Sequence, residues 1–288
     1  MPTAFQNTST VASVEIGDEE LAEIGMILDM WCNFNMSVYK DSCMKRRVAI
    51  RMQTIQCRNA AEYCCLLRQN EPERELLRKT LTIHVSHFFR DPSMYERLRW
   101  DILPDLFETA AQTGEPPLRI WSLGCATGEE PYSLAILLRE HFAPQLEQRG
   151  VAIVGTDIDA DTLESARYGA YNGDRLKEVA PEMKGRWFHP DGPRFRLIPE
   201  IRSMVEFQPG DIAGGCRYLP STLVLCRNTL IYFTRPDQEK ILDGITHILP
   251  QGGILVLGRS ESLMGASRRC FEPVCHAERI FRKVAPII

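Results

Sequence analysis

The chain has 288 residues, 44% apolar and 25% charged, with a net charge of −4. That length suits one large core with a smaller partner domain, and the composition is that of an ordinary globular protein. The acidic balance argues against a general nucleic-acid binder, no stretch approaches the roughly 18 uncharged apolar residues of a membrane span, and no basic start precedes an apolar run as in an export signal.

Residues 1–14 are rich in Ser and Thr and are expected to fray. From Asp18 to Arg68 apolar residues recur at helical spacing, as Leu21, Ile24 and Leu28 and then Val48, Met52 and Ile55. This predicts an all-helical N-terminal domain of three or four helices over residues 15–75. Its charge is divided: residues 1–35 hold six acids and no Lys or Arg, whereas residues 40–58 hold Lys40, Lys45, Arg46, Arg47, Arg51 and Arg58 against Asp41. Lys40, Arg47, Arg51 and Arg58 follow three- and four-residue steps and are read as one helical face. Two readings stay open, a solvated face and a docking surface for an acidic partner.

Beyond about residue 76 the pattern changes. Leu118-Arg-Ile-Trp121, Val151-Ala-Ile-Val154, Leu223–Cys226 and Ile254–Leu257 are short apolar runs suited to strands buried on both faces. Helical stretches separate them, from Pro131 to Phe142, Asp161 to Tyr168 and Pro236 to Ile248, so an open α/β sheet is expected over 76–288. The interval at about 172–206 is too long for an ordinary connection, which predicts a small inserted antiparallel subdomain. The ten cysteines show no C-x-x-C spacing, and several lie in apolar runs. Reduced buried thiols in a cytosolic protein are the expectation, with no metal.

The most informative segment runs Ile120-Trp-Ser-Leu-Gly124-Cys-Ala-Thr-Gly128-Glu129-Glu130-Pro131, a strand passing through a glycine loop into a helix. It is neither the dinucleotide fingerprint nor a phosphate loop. Glu129 and Glu130 would repel a pyrophosphate and better suit a cation such as an amino-acid ammonium. Asp157 follows at the tip of the next strand, where a carboxylate can accept from ribose hydroxyls. Asp159 or Asp161 is the alternative use of acid here, as a helix cap. Asp211, in Phe207-Gln-Pro-Gly-Asp211-Ile212, can accept from an adenine amine. Asn228, Thr229 and Tyr232 lie just beyond another strand, where a turn and a packing role are the simpler readings.

Taken together, these segments resemble the chemotaxis-type protein-glutamate O-methyltransferases. The resemblance rests on Val85-Ser-His-Phe-Phe-Arg90-Asp-Pro, Gly128-Glu-Glu-Pro-Tyr-Ser-Leu-Ala135, Gly155-Thr-Asp157-Ile-Asp159, Cys226-Arg-Asn228 with Ile231-Tyr232-Phe233, and Gly258-Arg-Ser-Glu261, in order over residues 15–285. It implies a doubly wound class I S-adenosylmethionine-dependent methyltransferase core with a small inserted antiparallel β-subdomain and an all-helical N-terminal domain. It also implies S-adenosyl-L-methionine held by His84, Ser86, Arg90, Gly124, Glu129, Glu130, Asp157, Asp211, Ile212, Asn228 and Thr229, with S-adenosyl-L-homocysteine as product. Arg90 and Tyr232 would lie beside the acceptor carboxylate. The partner would be a methyl-accepting receptor docked on Lys40, Lys45, Arg46, Arg47 and Arg51, with a monomeric, cytoplasmic enzyme and neither nucleic acid nor membrane insertion. Where relatives carry Asn and Thr, this chain has His84 and Ser86. The short turn Pro190-Asp-Gly-Pro-Arg194 points to the type that does not grip a C-terminal receptor pentapeptide. The competing readings are a methyltransferase with another acceptor and a docking protein that keeps the cofactor without transferring its methyl group.

Overall fold

The computed structural model describes residues 15–82, 86–113, 118–214, 216–217 and 219–284, so His84 lies outside the described residues. The chain forms two compact units that divide between Ile83 and His84. In the first, α1 (Asp18–Cys32), α2 (Asp41–Thr54), α3 (Ala60–Gln69) and α4 (Glu71–Leu81) bury Ile24, Leu28, Val48, Met52, Leu67 and Leu77. α4 runs through residue 75, so the helical unit extends past the expected boundary.

Capping residues start these helices. Asn59 accepts from the Glu62 amide at 2.8 Å and Asn70 from the Glu73 amide at 3.0 Å, each satisfying a donor that the first helical turn leaves over. The acids Asp18, Glu19 and Glu20 fill the first turn of α1, where the helix dipole favours them.

The basic residues do not form one helical face. Lys40 is only the N-cap of α2 and Arg58 lies beyond its end. Arg51 makes a two-pronged pair with Glu73 at 2.8 and 2.6 Å, and Tyr63 adds a hydrogen bond to the same carboxylate at 2.9 Å. Arg47 donates to the main-chain oxygens of Thr80 and Leu81 at the end of α4, and Lys45 pairs with Asp18 at 2.5 Å. Spacing alone could not reveal this, because the partners lie on other helices.

In the second unit, α5 (Pro92–Arg97) continues through a π-helical turn at Leu98–Ile102 into α6 (Leu103–Thr113). Then follow β1 (Leu118–Leu123), α7 (Glu129–His141), α8 (Ala143–Arg149), β2 (Val151–Asp157) and α9 (Ala160–Tyr168). The insertion holds β3 (Ala170–Tyr171), α10 (Pro181–Trp187), β4 (Phe188–Asp191), β5 (Arg194–Leu197) and α11 (Pro199–Arg202). The core resumes with β6 (Val205–Pro209), β7 (Leu223–Cys226), α12 (Arg235–Ile248), β8 (Ile254–Leu257), β9 (Phe271–Cys275) and β10 (Ile280–Lys283).

The main sheet has the order β6-β2-β1-β7-β8-β10-β9, parallel except where β10 runs against β8 and β9. β7 and β8 are buried along their whole length, which explains runs such as Leu-Val-Leu-Cys with no polar alternation. The strand order reverses between β1 and β7, the kind of switch point at which open α/β sheets bind their ligands, beyond the carboxyl ends of the strands. The inserted subdomain is a separate antiparallel sheet of order β3-β5-β4, as the length of the interval predicts. Among the described residues no helix is long and apolar enough to cross a membrane.

Candidate active site

β1 leaves the sheet through Gly124, whose amide, with that of Cys125, donates to Thr156 O at 2.8 and 3.0 Å. Gly124 has φ +69° and Gly128 φ +90°, a region that costs glycine little. A Cβ on Gly124 would lie 2.5 Å from the Thr229 hydroxyl oxygen, so the β1 and β7 loops meet only because this residue has no side chain.

Asp157 ends β2 and is 7% exposed. Its carboxylate accepts from the Ala126 amide at 2.9 Å and the Asp159 amide at 3.1 Å, locking it to the glycine loop. Asp159 takes the capping role, accepting from the Asp161 amide and the Thr162 hydroxyl, each at 3.1 Å. Sequence reasoning left these two uses of acid open, and the contacts separate them. Beyond β6, Gly210 N donates to Asp157 O at 3.0 Å, which brings Asp211 and the buried Ile212 to the same edge. Asp211 accepts from the Ala213 amide at 2.9 Å.

The two glutamates opening α7 also part company. Glu130 accepts from the Ser122 hydroxyl at 2.8 Å and from Arg227 at 2.9 Å. Glu129, with a side chain 1% exposed, accepts from the Thr127 hydroxyl at 2.8 Å and lies 3.7 Å from the Arg175 guanidinium. A carboxylate this deeply buried is costly to charge without cationic company.

Arg90 sits between two non-glycine residues of positive φ, Phe89 (52°) and Asp91 (62°). The Phe89 amide donates to Ser133 of α7 at 2.9 Å, and Arg227 donates to Arg90 O at 2.9 Å. Arg227 also reaches Asp91 at 2.6 Å, and its side chain is 3% exposed. Burial alone would lower Arg227, but Glu130, Tyr95 and Asp91 more than offset this and hold the guanidinium charged. Tyr232 closes the one-turn helix Leu230–Tyr232 after β7.

Asn228 has φ 55°. Its amide and those of Thr229, Ile231 and Gly258 donate to the carboxylate of Glu261, at 2.9, 2.8, 3.3 and 2.6 Å. Burial pushes Glu261 above the ordinary carboxylate range, and these donors pull the other way. Arg227 and Glu261 both lie in motifs visible in the sequence, yet neither was given a role there. The available signal was chemical: Arg227 directly follows the fully apolar β7 and Glu261 comes four residues after the fully apolar β8, and a charge buried there must find partners.

An open sheet with this strand order, a glycine loop at its switch point and acids at successive strand tips defines a nucleoside-binding transferase site. The donor set is compatible with S-adenosylmethionine: a close-approach glycine loop, the buried carboxylate of Asp157 at a strand tip, and the buried anion Glu129. Two family models then match the chain: "CheR methyltransferase, SAM binding domain" over residues 84–279 and "CheR methyltransferase, all-alpha domain" over residues 19–82. The chain belongs to the CheR methyltransferase family and is an S-adenosylmethionine-dependent methyltransferase. Chemotaxis protein methyltransferase 2 of Pseudomonas aeruginosa is 31% identical over 86% of this chain and 88% of its own length. Chemotaxis protein methyltransferase 1 of the same organism is 37% identical over 66% of this chain and 70% of its own. An uncharacterized 104.1 kDa protein of Rhodobacter capsulatus is 32% identical over 85% of this chain, which spans 26% of that protein's length.

Proposed function

We propose that this chain transfers the methyl group of S-adenosylmethionine to glutamate side chains of chemotaxis receptors, giving glutamate methyl esters and S-adenosylhomocysteine. The observation that carries this reading is the gathering of the Gly124 loop, Asp157, Asn228–Thr229 and the Arg90 segment at one edge of the sheet, in a chain similar to chemotaxis protein methyltransferases.

In this reading Asp157 accepts from the ribose, Asp211 and Ile212 hold the adenine, and Asn228 and Thr229 line the cofactor cleft with Gly124. Glu129 takes the ammonium in preference to Glu130, whose carboxylate serves Arg227. Ser86 and Arg90 border the methionine end.

The cofactor supplies an electrophilic methyl group on a sulfonium. The acceptor glutamate is already ionised at neutral pH, since its ordinary pKa is about 4.3. One of its oxygens forms the new C–O bond as the S–CH₃ bond breaks, and no proton moves. The chain therefore needs no general base. Its task is to hold the carboxylate in line and exclude water, which can supply several kcal/mol, up to about 7–11 in the best intramolecular cases. Arg90 and Tyr232 orient the acceptor. Too tight an ion pair with Arg90 would favour the ground state, because the attacking oxygen loses charge in the transition state.

The receptor meets the helical unit through its exposed cations, of which Arg46 is one. The pentapeptide-independent type is supported by the short turn of the insertion, where only Gly192 and Pro193 separate β4 from β5.

The test is transfer of labelled methyl groups from S-adenosylmethionine to receptor cytoplasmic fragments, followed by mild base. Release of label as methanol from glutamates, abolished by Asp157→Ala, is the expected result. Tight cofactor binding with no labelled receptor would overturn it.

A further inference from the structure

Building on the reading of Glu129 as the ammonium partner, we infer that Arg175 binds the carboxylate of the same amino-acid end. Glu129 and Arg175 would then form one receptor for the methionine zwitterion. The α-ammonium and α-carboxylate sit on one carbon, so the groups that recognise them must be adjacent and opposite in charge. Arg175 Nη1 lies 3.7 Å from Glu129 Oε1, close enough for attraction but beyond a direct hydrogen bond between them. The Glu129 side chain is 1% exposed and that of Arg175 31%, so the anion lies deep and the cation nearer the mouth.

The rest of the fold holds Arg175 in place. It belongs to the one-turn helix Gly173–Leu176 at the root of the inserted subdomain. Its main-chain oxygen accepts from the Phe88 amide at 2.9 Å, and its guanidinium donates to Ser86 O. Just before it, Tyr171 donates to Thr127 O in the glycine loop at 2.7 Å and meets Phe88 edge-on at 4.8 Å. The guanidinium is thus anchored beside Ser86 on one side and Glu129 on the other, both proposed cofactor residues. A cation fixed in this way loses little conformational freedom on binding an anion.

Of the other cations at this edge, Arg227 is engaged by Glu130, Asp91 and Arg90 O, and Arg90, at the methionine end, also serves the acceptor in the proposed reaction. Arg175 comes from the insertion, outside the glycine loop and the strand tips. That is why sequence motifs for the cofactor do not include it.

The test is calorimetric binding of two ligands to the full chain: S-adenosylhomocysteine, and its decarboxylated analogue, which keeps the ammonium. Wild type should prefer the first. Arg175→Gln should weaken S-adenosylhomocysteine roughly 10- to 100-fold, the range for a charge-assisted hydrogen bond, and leave the analogue within about twofold. Arg175→Lys should recover part of the loss, and Glu129→Gln should weaken both ligands. Equal weakening of both ligands by Arg175→Gln would mark Arg175 as structural and overturn the inference. So would wild-type indifference to the carboxylate, or a Glu129→Gln variant that binds both normally. Failure of wild type to bind either ligand would instead strike at the cofactor site itself.

Discussion

Arg227 donates to the main-chain oxygen of Arg90 at 2.9 Å, joining residues 137 positions apart in the chain. The contact fixes the backbone of a residue flanked on both sides by left-handed geometry. Such geometry costs about 1–3 kcal/mol per residue and persists only when its surroundings hold it. The Arg227 guanidinium, pinned between Asp91 and Glu130, is part of that support.

Arg227→Lys should therefore lower kcat for receptor methylation by roughly 10- to 100-fold, because lysine keeps the charge but loses the planar fork. Cofactor affinity should fall less than kcat, because Arg90 serves both the methionine end and the acceptor. Separate measurement of kcat and of S-adenosylhomocysteine Kd checks this, and an unchanged kcat would show that Arg227 does not act through Arg90.

Glu261 works on the other side of β7. In Glu261→Gln an amide NH₂ must face amide donors now held by a carboxylate oxygen, and each donor left unpaired costs about 1–3 kcal/mol. The expected result is a cofactor Kd raised about tenfold or more, with the cofactor KM rising accordingly. Gly258→Ala should resemble it, since a Cβ there would lie 2.8 Å from Asn228 N. Unchanged affinity in both variants would remove Glu261 from the cofactor cleft.

His87 makes stability depend on pH. Burial lowers its pKa, as do Lys177 and Arg90, while Glu178 and Asp91 act the other way. The unfolded chain takes up this proton near pH 6.5, before the folded chain does. The contribution is thus complete above the unfolded pKa and is lost as pH falls through the folded one. Denaturation midpoints between pH 7.5 and 5 should fall less steeply in His87→Gln, and identical slopes would refute the assignment.

The helical unit allows a contrast of charges. Arg51→Glu sets like charge against the buried Glu73 and should cost about 3–5 kcal/mol of stability. Arg46→Glu changes an exposed residue, so the thermal midpoint should barely move while affinity for receptor fragments falls. Receptor binding unaffected by Arg46→Glu would separate this face from docking.

Much of the fold was legible because it rests on local chemistry. The apolar runs at 118–121, 223–226 and 254–257 suited strands buried on both faces, and the glycine loop with Asp157 marked the switch point. The division of labour between Glu129 and Glu130 was not legible, since adjacent residues of one type look alike until their partners are known. The basic stripe at 40–58 misled for the same reason: Arg47 and Arg51 stand at helical spacing but are engaged by α4.

By itself the sequence determined the α/β core, the inserted antiparallel sheet, the helical domain and the residue types that suit an adenosyl cofactor. Hydrophobic period, glycine placement and strand-tip acids are properties of short windows, and short windows carry them intact. Only the tertiary structure decided which charges are available for chemistry and which hold the backbone. Arg227 with Glu130 and Asp91, Glu261 with the β7 exit, and Arg175 with Glu129 are pairings across distant positions. Burial penalises each charge that lacks a partner, and which partner it finds depends on how the chain closes in space.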